Sequence, residues 1–586
     1  MGLEIALSNA LSGLQANQTA LQITSNNVSN AQTPGYSAET VAFNSVSVDG
    51  EGAGVDIGAV TRNVSQQLLA AVVNETSAQS FAQTTSDQLS QLQDYMGNPN
   101  NSSSIASQLS GLATALQSLA TTPSGSSEQM QVVAAAQQTA QTFNTLAQNV
   151  QALRADTDQS IQNAVNDAQT QLATIQQLNT QIRQLNALGQ STVNLQDQED
   201  VAVNALAGDM NITTVQRSDG TIGVYTTTGV ALLDGTGPAP TLTHAAVSSM
   251  GPNVTYPGGG INGIMLNGVD ITSQITGGSI GALLQLRDTT LPQVGQQLDA
   301  LANTTIGQLN AIHNSGTSVP AANSLTSATT GLTAATAFTG TGTVRIAIVD
   351  QNGNAVAAPL DLDISTVTNV GQLISAINTG LGGAGTAALV NGQLTISANN
   401  AANGVAINQE DTNVNASGQG FSTFLGMNNL FVANPAVSTA LTMAVRPDIA
   451  ADPNIVSTGT LVTGAVAVGA NAVAPSDNSI AQSMANMFNN AVSIPAAGGL
   501  GAANTTVGDY ASQIIGNAAV QSSTAQNTAS YQSSLLQNIQ NKESSLSGVN
   551  VDQEMSNLIV YQNAYSASAR VISVIDAMFQ TLEQIQ

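Results

Sequence analysis

Chemistry needs a few reactive side chains within reach of one another, and this sequence offers few. It has no cysteine and two histidines, His244 and His313. Disulfides, thiolate metal sites and thiol nucleophiles are therefore excluded. A hydrolase needs a nucleophile, a base and an orienting group. Neither histidine lies in an HExxH or GxSxG context or at metal-ligand spacing. Each is expected to be structural or solvent-facing. Asp350-Gln351-Asn352-Gly353-Asn354 opens like a calcium loop, but Ala355 stands where the loop needs glycine and no glutamate closes it. A hairpin turn explains the same residues. Asp361 and Asp363 alternate with Leu362 in a strand-like run, on one solvated face; nothing singles out a carboxylate pair for glycoside cleavage. The glycines form no phosphate loop. No catalytic residue, metal or cofactor is expected, and the chain reads as a non-enzyme.

Bulk properties narrow the partners. The chain has 586 residues, enough for several cores. Nine basic residues against 35 acidic ones leave a net charge of −26, which repels phosphate backbones and argues against nucleic acid. Charged residues are only 8%, so Asn, Gln, Ser and Thr must supply the polar surface. Tryptophan is absent and aromatics are 3%, which disfavours aromatic-lined ligand pockets. Residues 1–20 carry Glu4, no base and no unbroken apolar core, so no cleaved secretory signal is expected there. No run of about 20 apolar residues exists, so no membrane insertion is expected.

What remains is pattern. Leu7, Leu14, Leu21 and Val28 are seven apart, with Leu11 beside them, which predicts one apolar stripe on an N-terminal helix. The stripe is expected to break at Ser25-Asn26-Asn27, whose side chains compete for backbone hydrogen bonds. Thr33-Pro34-Gly35-Tyr36 then predicts a turn: Pro34 fixes its own φ, and Gly35 permits a positive one. At the far end, Leu558, Tyr565, Ile572 and Phe579 are seven apart, and so are Tyr561, Ser568, Ile575 and Leu582. Helices are expected over 64–95, 105–120, 125–188, 283–316 and 506–547. Asp219-Gly220, Asn267-Gly268, Asn352-Gly353 and Asn391-Gly392 predict hairpins between them. The chain thus reads as multidomain α + β, with paired terminal helices in coiled-coil layers, a β-rich middle and a small inserted α+β domain. The expected units are 1–60 with 550–586, 61–205 with 478–549, 206–316 with 431–477, and the insertion 317–430.

The two ends also carry a resemblance. NNVSNAQTPGYS (26–37) resembles the N-terminal signature of bacterial flagellar rod, hook and hook-associated proteins, and EMSNLIVYQNAYSASARVISVIDAMFQTLEQI (554–585) resembles their C-terminal helix. The segments 194–229, 277–292, 309–316, 445–459 and 474–484 point to the hook-associated branch. The resemblance implies a structural subunit at the junction of hook and filament. Its terminal helices would line an inner tube, its long helices would form the next layer, and its insertion would face outward. It implies other copies as partners in a ring or helical oligomer, with the hook protein, a second junction protein next to the filament, and an export chaperone on the C-terminal helix. The location implied is the extracellular flagellum, reached by type III export. One departure stands out: Glu199 precedes Asp200 where the family often has arginine. Alternatives are a hook or distal-rod protein, which the long helical run argues against, and a secreted acidic adhesin.

Overall fold

The structure is a computed structural model and describes residues 2–48, 51–99, 101–235 and 237–585. The apolar stripe at the N-terminus forms a helix, α1 (Gly2–Asn30). It does not break at Asn26-Asn27. Asn27 is buried, and its side chain is used by distant groups: it donates to Glu39 O and Glu554 Oε1 and accepts from Glu39 N and Tyr36 Oη. An amide so engaged cannot compete for its own backbone, and the helix runs on to Asn30. Tyr36 N then bonds Thr33 O across a turn in which Gly35 has φ +80°. Strands β1 (Glu39–Val48) and β2 (Glu51–Arg62) follow as an antiparallel hairpin lying along α1.

The body hangs on one long helix. After α2 (Gln66–Met96) and α3 (Ile105–Thr121), α4 (Ser126–Ala187) has 62 residues, roughly 90 Å at 1.5 Å per residue. A weakly charged helix of that length needs packing partners, and it has two sets. Val132, Phe143, Val150 and Leu153 join a helical core shared with α3. Ile161, Val165, Ala168, Leu172 and Ile175 join a second core, with α5 (Val193–Asp209) and the antiparallel sheet of β3 (Ile212–Gln216), β4 (Ile222–Thr226) and β5 (Ala231–Asp234).

Next comes α6 (Gly278–Gln285), which widens into a π turn at Leu286–Thr290 before α7 (Leu291–Asn314). Pro292 has no N–H and its ring crowds the carbonyl four residues back. The wider turn just before it, closed by Leu291 N on Leu286 O, accommodates it.

Residues 322–427 bury a core of their own, built by Phe338, Val344, Ile346, Leu373, Ile377 and Ile396 among others. Two three-stranded antiparallel sheets and the helix Val370–Leu381 carry it. Asn391-Gly392 turns one hairpin there, both residues at positive φ. Asp361 and Asp363 are both exposed, as the alternation requires.

Residues 431–456 pack on α7, the long helix of the 206–316 unit. Leu430, Phe431, Met443, Val445, Ile449 and Val456 lie in the first helical core, with α7, and not with the β-rich core. Asn310 of α7 causes this, accepting from Leu430 N and Phe431 N and donating to Phe431 O. The chain closes with helices α8 (Ser479–Met487), α9 (Val507–Ser547) and α10 (Val551–Ile585). Helix α9 lies along α2, and α10 lies along α1.

Candidate assembly interface

Helices α1 and α10 are antiparallel. Asn27 meets Glu554, and a Cβ on Gly13 would lie 3.5 Å from Ser568 Oγ. Fourteen residues back along α1 thus match fourteen forward along α10, one register without slippage. Leu7, Leu14, Leu21 and Val28 are half-buried by this pairing and by the β1–β2 hairpin; Leu11 stays exposed. On α10, Leu558, Tyr561, Ile572 and Phe579 are half-buried and Ile575 is buried, whereas Tyr565 and Leu582 are exposed.

A second stripe on α10 is left uncovered. Val560, Val571, Val574 and Met578 are exposed at 61, 47, 60 and 48%. With Ala567 they repeat at heptad spacing, about 100° around the helix from Tyr561, Ser568 and Ile575. Sequence reasoning missed this stripe because each member directly precedes or closely follows a residue of the inner one. The signal was present: Val560, Ala567 and Val574 are seven apart.

Behind the pair lies a polar joint. The turn at Pro34-Gly35 rests on α5, so closely that a Cβ on Gly35 would meet Val201 Cγ2 at 2.4 Å. Ser37 N donates to Asp197 Oδ2 at 3.0 Å. Arg62, at the end of β2, bridges Asp197 at 2.8 Å and Asp200 at 2.6 Å. Tyr36 Oη donates to Asn27 Oδ1 at 2.9 Å, and burial beside Glu39 and Asp197 pushes its phenol well above the usual range. Ala38 N closes onto Ser547 O, tying the turn to the end of α9.

The residues weighed for chemistry are engaged in structural hydrogen bonds. Asp350 Oδ1 accepts from Asn352 N and Asn354 N, holding a turn. Asp361 forms a two-pronged pair with Arg345. Asp363 caps a short 3-10 turn through Ser365 N. His244 and His313 are both buried, so neither faces solvent. His244 Nε2 lies 3.0 Å from Asp158 Oδ1. His313 Nδ1 lies 2.6 Å from Asn428 O, and its Nε2 accepts from Ser457 N at 2.9 Å.

That geometry fixes His313 as the neutral ring, and burial pulls its pKa down from 6.5 to about 4. Its folded value lies below the unfolded one. The stability it contributes is present above about pH 6.5 and lost as pH falls through 4. His313→Gln is therefore expected to lose about 3 kcal/mol less than the native chain between pH 7 and pH 4, read from denaturant titrations at both.

Comparison with known proteins converges on the same ends and middle. The profile "Flagella basal body rod protein" matches residues 7–36. "Flagellar hook-associated protein FlgK helical domain" matches 89–324, and "Flagellar basal body rod FlgEFG protein C-terminal" matches 543–585. Flagellar hook-associated protein 1 of Escherichia coli K12 is 26% identical over 99% of both chains, and that of Salmonella typhimurium 24% over 99% of both. Over its whole length the chain is thus similar to flagellar hook-associated protein 1. The structure of the flagellar hook junction protein FlgK from Burkholderia pseudomallei covers 82% of this chain and all of its own, at 17% identity and a TM-score of 0.49. The matched models and relatives are all named for parts of the bacterial flagellum. No described helix is long and apolar enough to cross a membrane.

Proposed function

We propose that this chain is a structural subunit of the flagellar hook–filament junction, that it polymerises through its terminal helices and that it carries out no reaction. The observation that carries this reading is the uncovered stripe of α10. A single chain covers one apolar seam with α1 and leaves a second, at heptad spacing, in water. Such a face is satisfied by neighbours of the same kind, in coiled-coil layers around an axis.

Of the residues singled out in sequence, Leu7, Leu14, Leu21, Val28, Leu558, Tyr561, Ile572, Ile575 and Phe579 belong to the pair itself. Leu11, Tyr565 and Leu582 join the outer contacts. In this reading 317–430 is an inserted domain held outward, and the amide-rich surfaces of the long helices pack in the layer around the tube. The hook protein and a second junction protein are the axial neighbours. A chaperone covers α10 before type III export to the extracellular flagellum.

The test is deletion of the gene, with electron microscopy of the cells and an assay for flagellin in the medium. Hooks without filaments, with flagellin lost to the medium, are expected. Missing hooks would move the protein to the hook or rod, and intact flagella would overturn the assignment.

A further inference from the structure

All covalent connections between the terminal pair and the body pass one cavity. It has a volume of about 830 Å³ and is lined by the turn at Pro34–Tyr36, by Arg62, by α5 and by the end of α9 around Glu543. Glu199 faces it. The role in assembly makes no use of it. The residue is 3% exposed, and Glu199 Oε1 has no hydrogen-bond partner. A buried carboxylate in that state is costly, and a buried carboxylic acid much less so.

The surrounding charges sharpen the contrast. From its own helix Glu199 meets Asp200, and from β2 it meets Arg62; Arg62 is in turn bridged by Asp197 and Asp200. Glu39 of β1, Tyr36 of the turn, Glu543 of α9 and Glu554 of α10 complete the titratable ring. Helix α2 and strand β3 contribute the neutral amides Gln66 and Gln216. Asp197 and Asp200 already outnumber Arg62, so an ionised Glu199 is a third negative charge against one guanidinium.

We propose that Glu199 is a proton-operated latch on this joint: neutral, it lets the turn and the end of β2 close on α5; ionised, it loosens them and frees the terminal pair to change its angle to the body. Burial, then Asp200, raises the Glu199 pKa from 4.5 to about 8. The folded protein therefore keeps this proton where the unfolded chain has lost it. The closed joint is favoured at low pH and weakens as pH rises toward and through that value. The cavity and the partly exposed Asp200 give water a route to the carboxyl.

The chain has no cysteine, so two labels can be placed cleanly. Gln562→Cys on α10 and Gln190→Cys before α5 are both at exposed positions and carry spin labels on the full chain. The distance distribution between them is expected to be narrow at about pH 6 and at least twofold broader at about pH 9.5. With Glu199→Gln, isosteric and always neutral, it is expected to stay narrow at both. Equal native widths at the two pH values, or broadening that survives in Glu199→Gln, would overturn the latch.

Discussion

Replacing Val574 with aspartate is expected to leave the isolated chain folded and to abolish its assembly. Val574 is 60% exposed on α10, outside every core of the single chain. A charge there costs the monomer within about 0.5 kcal/mol. In a polymer that covers the outer stripe, each copy loses about 1.5–3 kcal/mol of valine burial. Each copy also buries an unpaired carboxylate, which costs several kcal/mol more or shifts its pKa. The loss repeats at every contact, so the fold-change in assembly is large. The neighbouring residue gives the contrast. Ile575 is 5% exposed, and Ile575→Asp is expected to part α10 from α1 within the monomer. Thermal melting by circular dichroism should therefore separate the two variants, whereas both should give cells without filaments. Normal motility with Val574→Asp would remove the outer stripe from the interface.

The contrast between these adjacent residues also shows what sequence can convey. Period and turn chemistry are local, so the seven-residue spacings, the Pro34-Gly35 turn and the Asn391-Gly392 hairpin are legible in the order of residues alone. What is not legible there depends on partners far along the chain. The continuation of α1 through Asn27 rests on Glu39 and on Glu554, 527 residues away. The packing of 431–456 beside α7 rests on Asn310, about 120 residues earlier. The outer stripe is hidden for a different reason: two heptad seams share one helix, and a periodicity count reports the stronger pattern without saying which one a neighbour already covers.

The largest effect on stability is expected at a third such long-range site, Asp158. Its side chain, His244 and Arg287 are all fully buried. Asp158 Oδ1 accepts from Arg287 Nη1 at 2.7 Å and faces His244 Nε2 at 3.0 Å; Oδ2 accepts from Val247 N at 2.8 Å. Arg287 reaches this point because the π turn presents it, and it also pairs with Asp288. Arg154 completes the lock, donating to Arg287 O, Gly251 O and Val254 O. The network holds the irregular 244–254 segment and the π turn onto the middle of α4, where the two cores meet. Asp158→Asn places an NH₂ among donors and leaves Arg287 one carboxylate short in a dry interior. A loss of about 3–5 kcal/mol is expected from breaking a buried pair on one side only. Asp158→Leu with Arg287→Met, which removes both charges, should recover much of it. Burial alone would raise the Asp158 pKa, but the hydrogen bonds from His244, Val247 N–H and Arg287 outweigh it and hold the carboxyl below the usual range. Its contribution is therefore present above about pH 4 and lost as pH falls below that. Urea titrations at neutral pH, followed by circular dichroism, should show the native chain unfolding well after Asp158→Asn. The gap should narrow as pH falls below about 4, where the unfolded chain takes up a proton that the native carboxyl still refuses, and a gap that stays constant in acid would mean that the charge of Asp158 does not hold the lock.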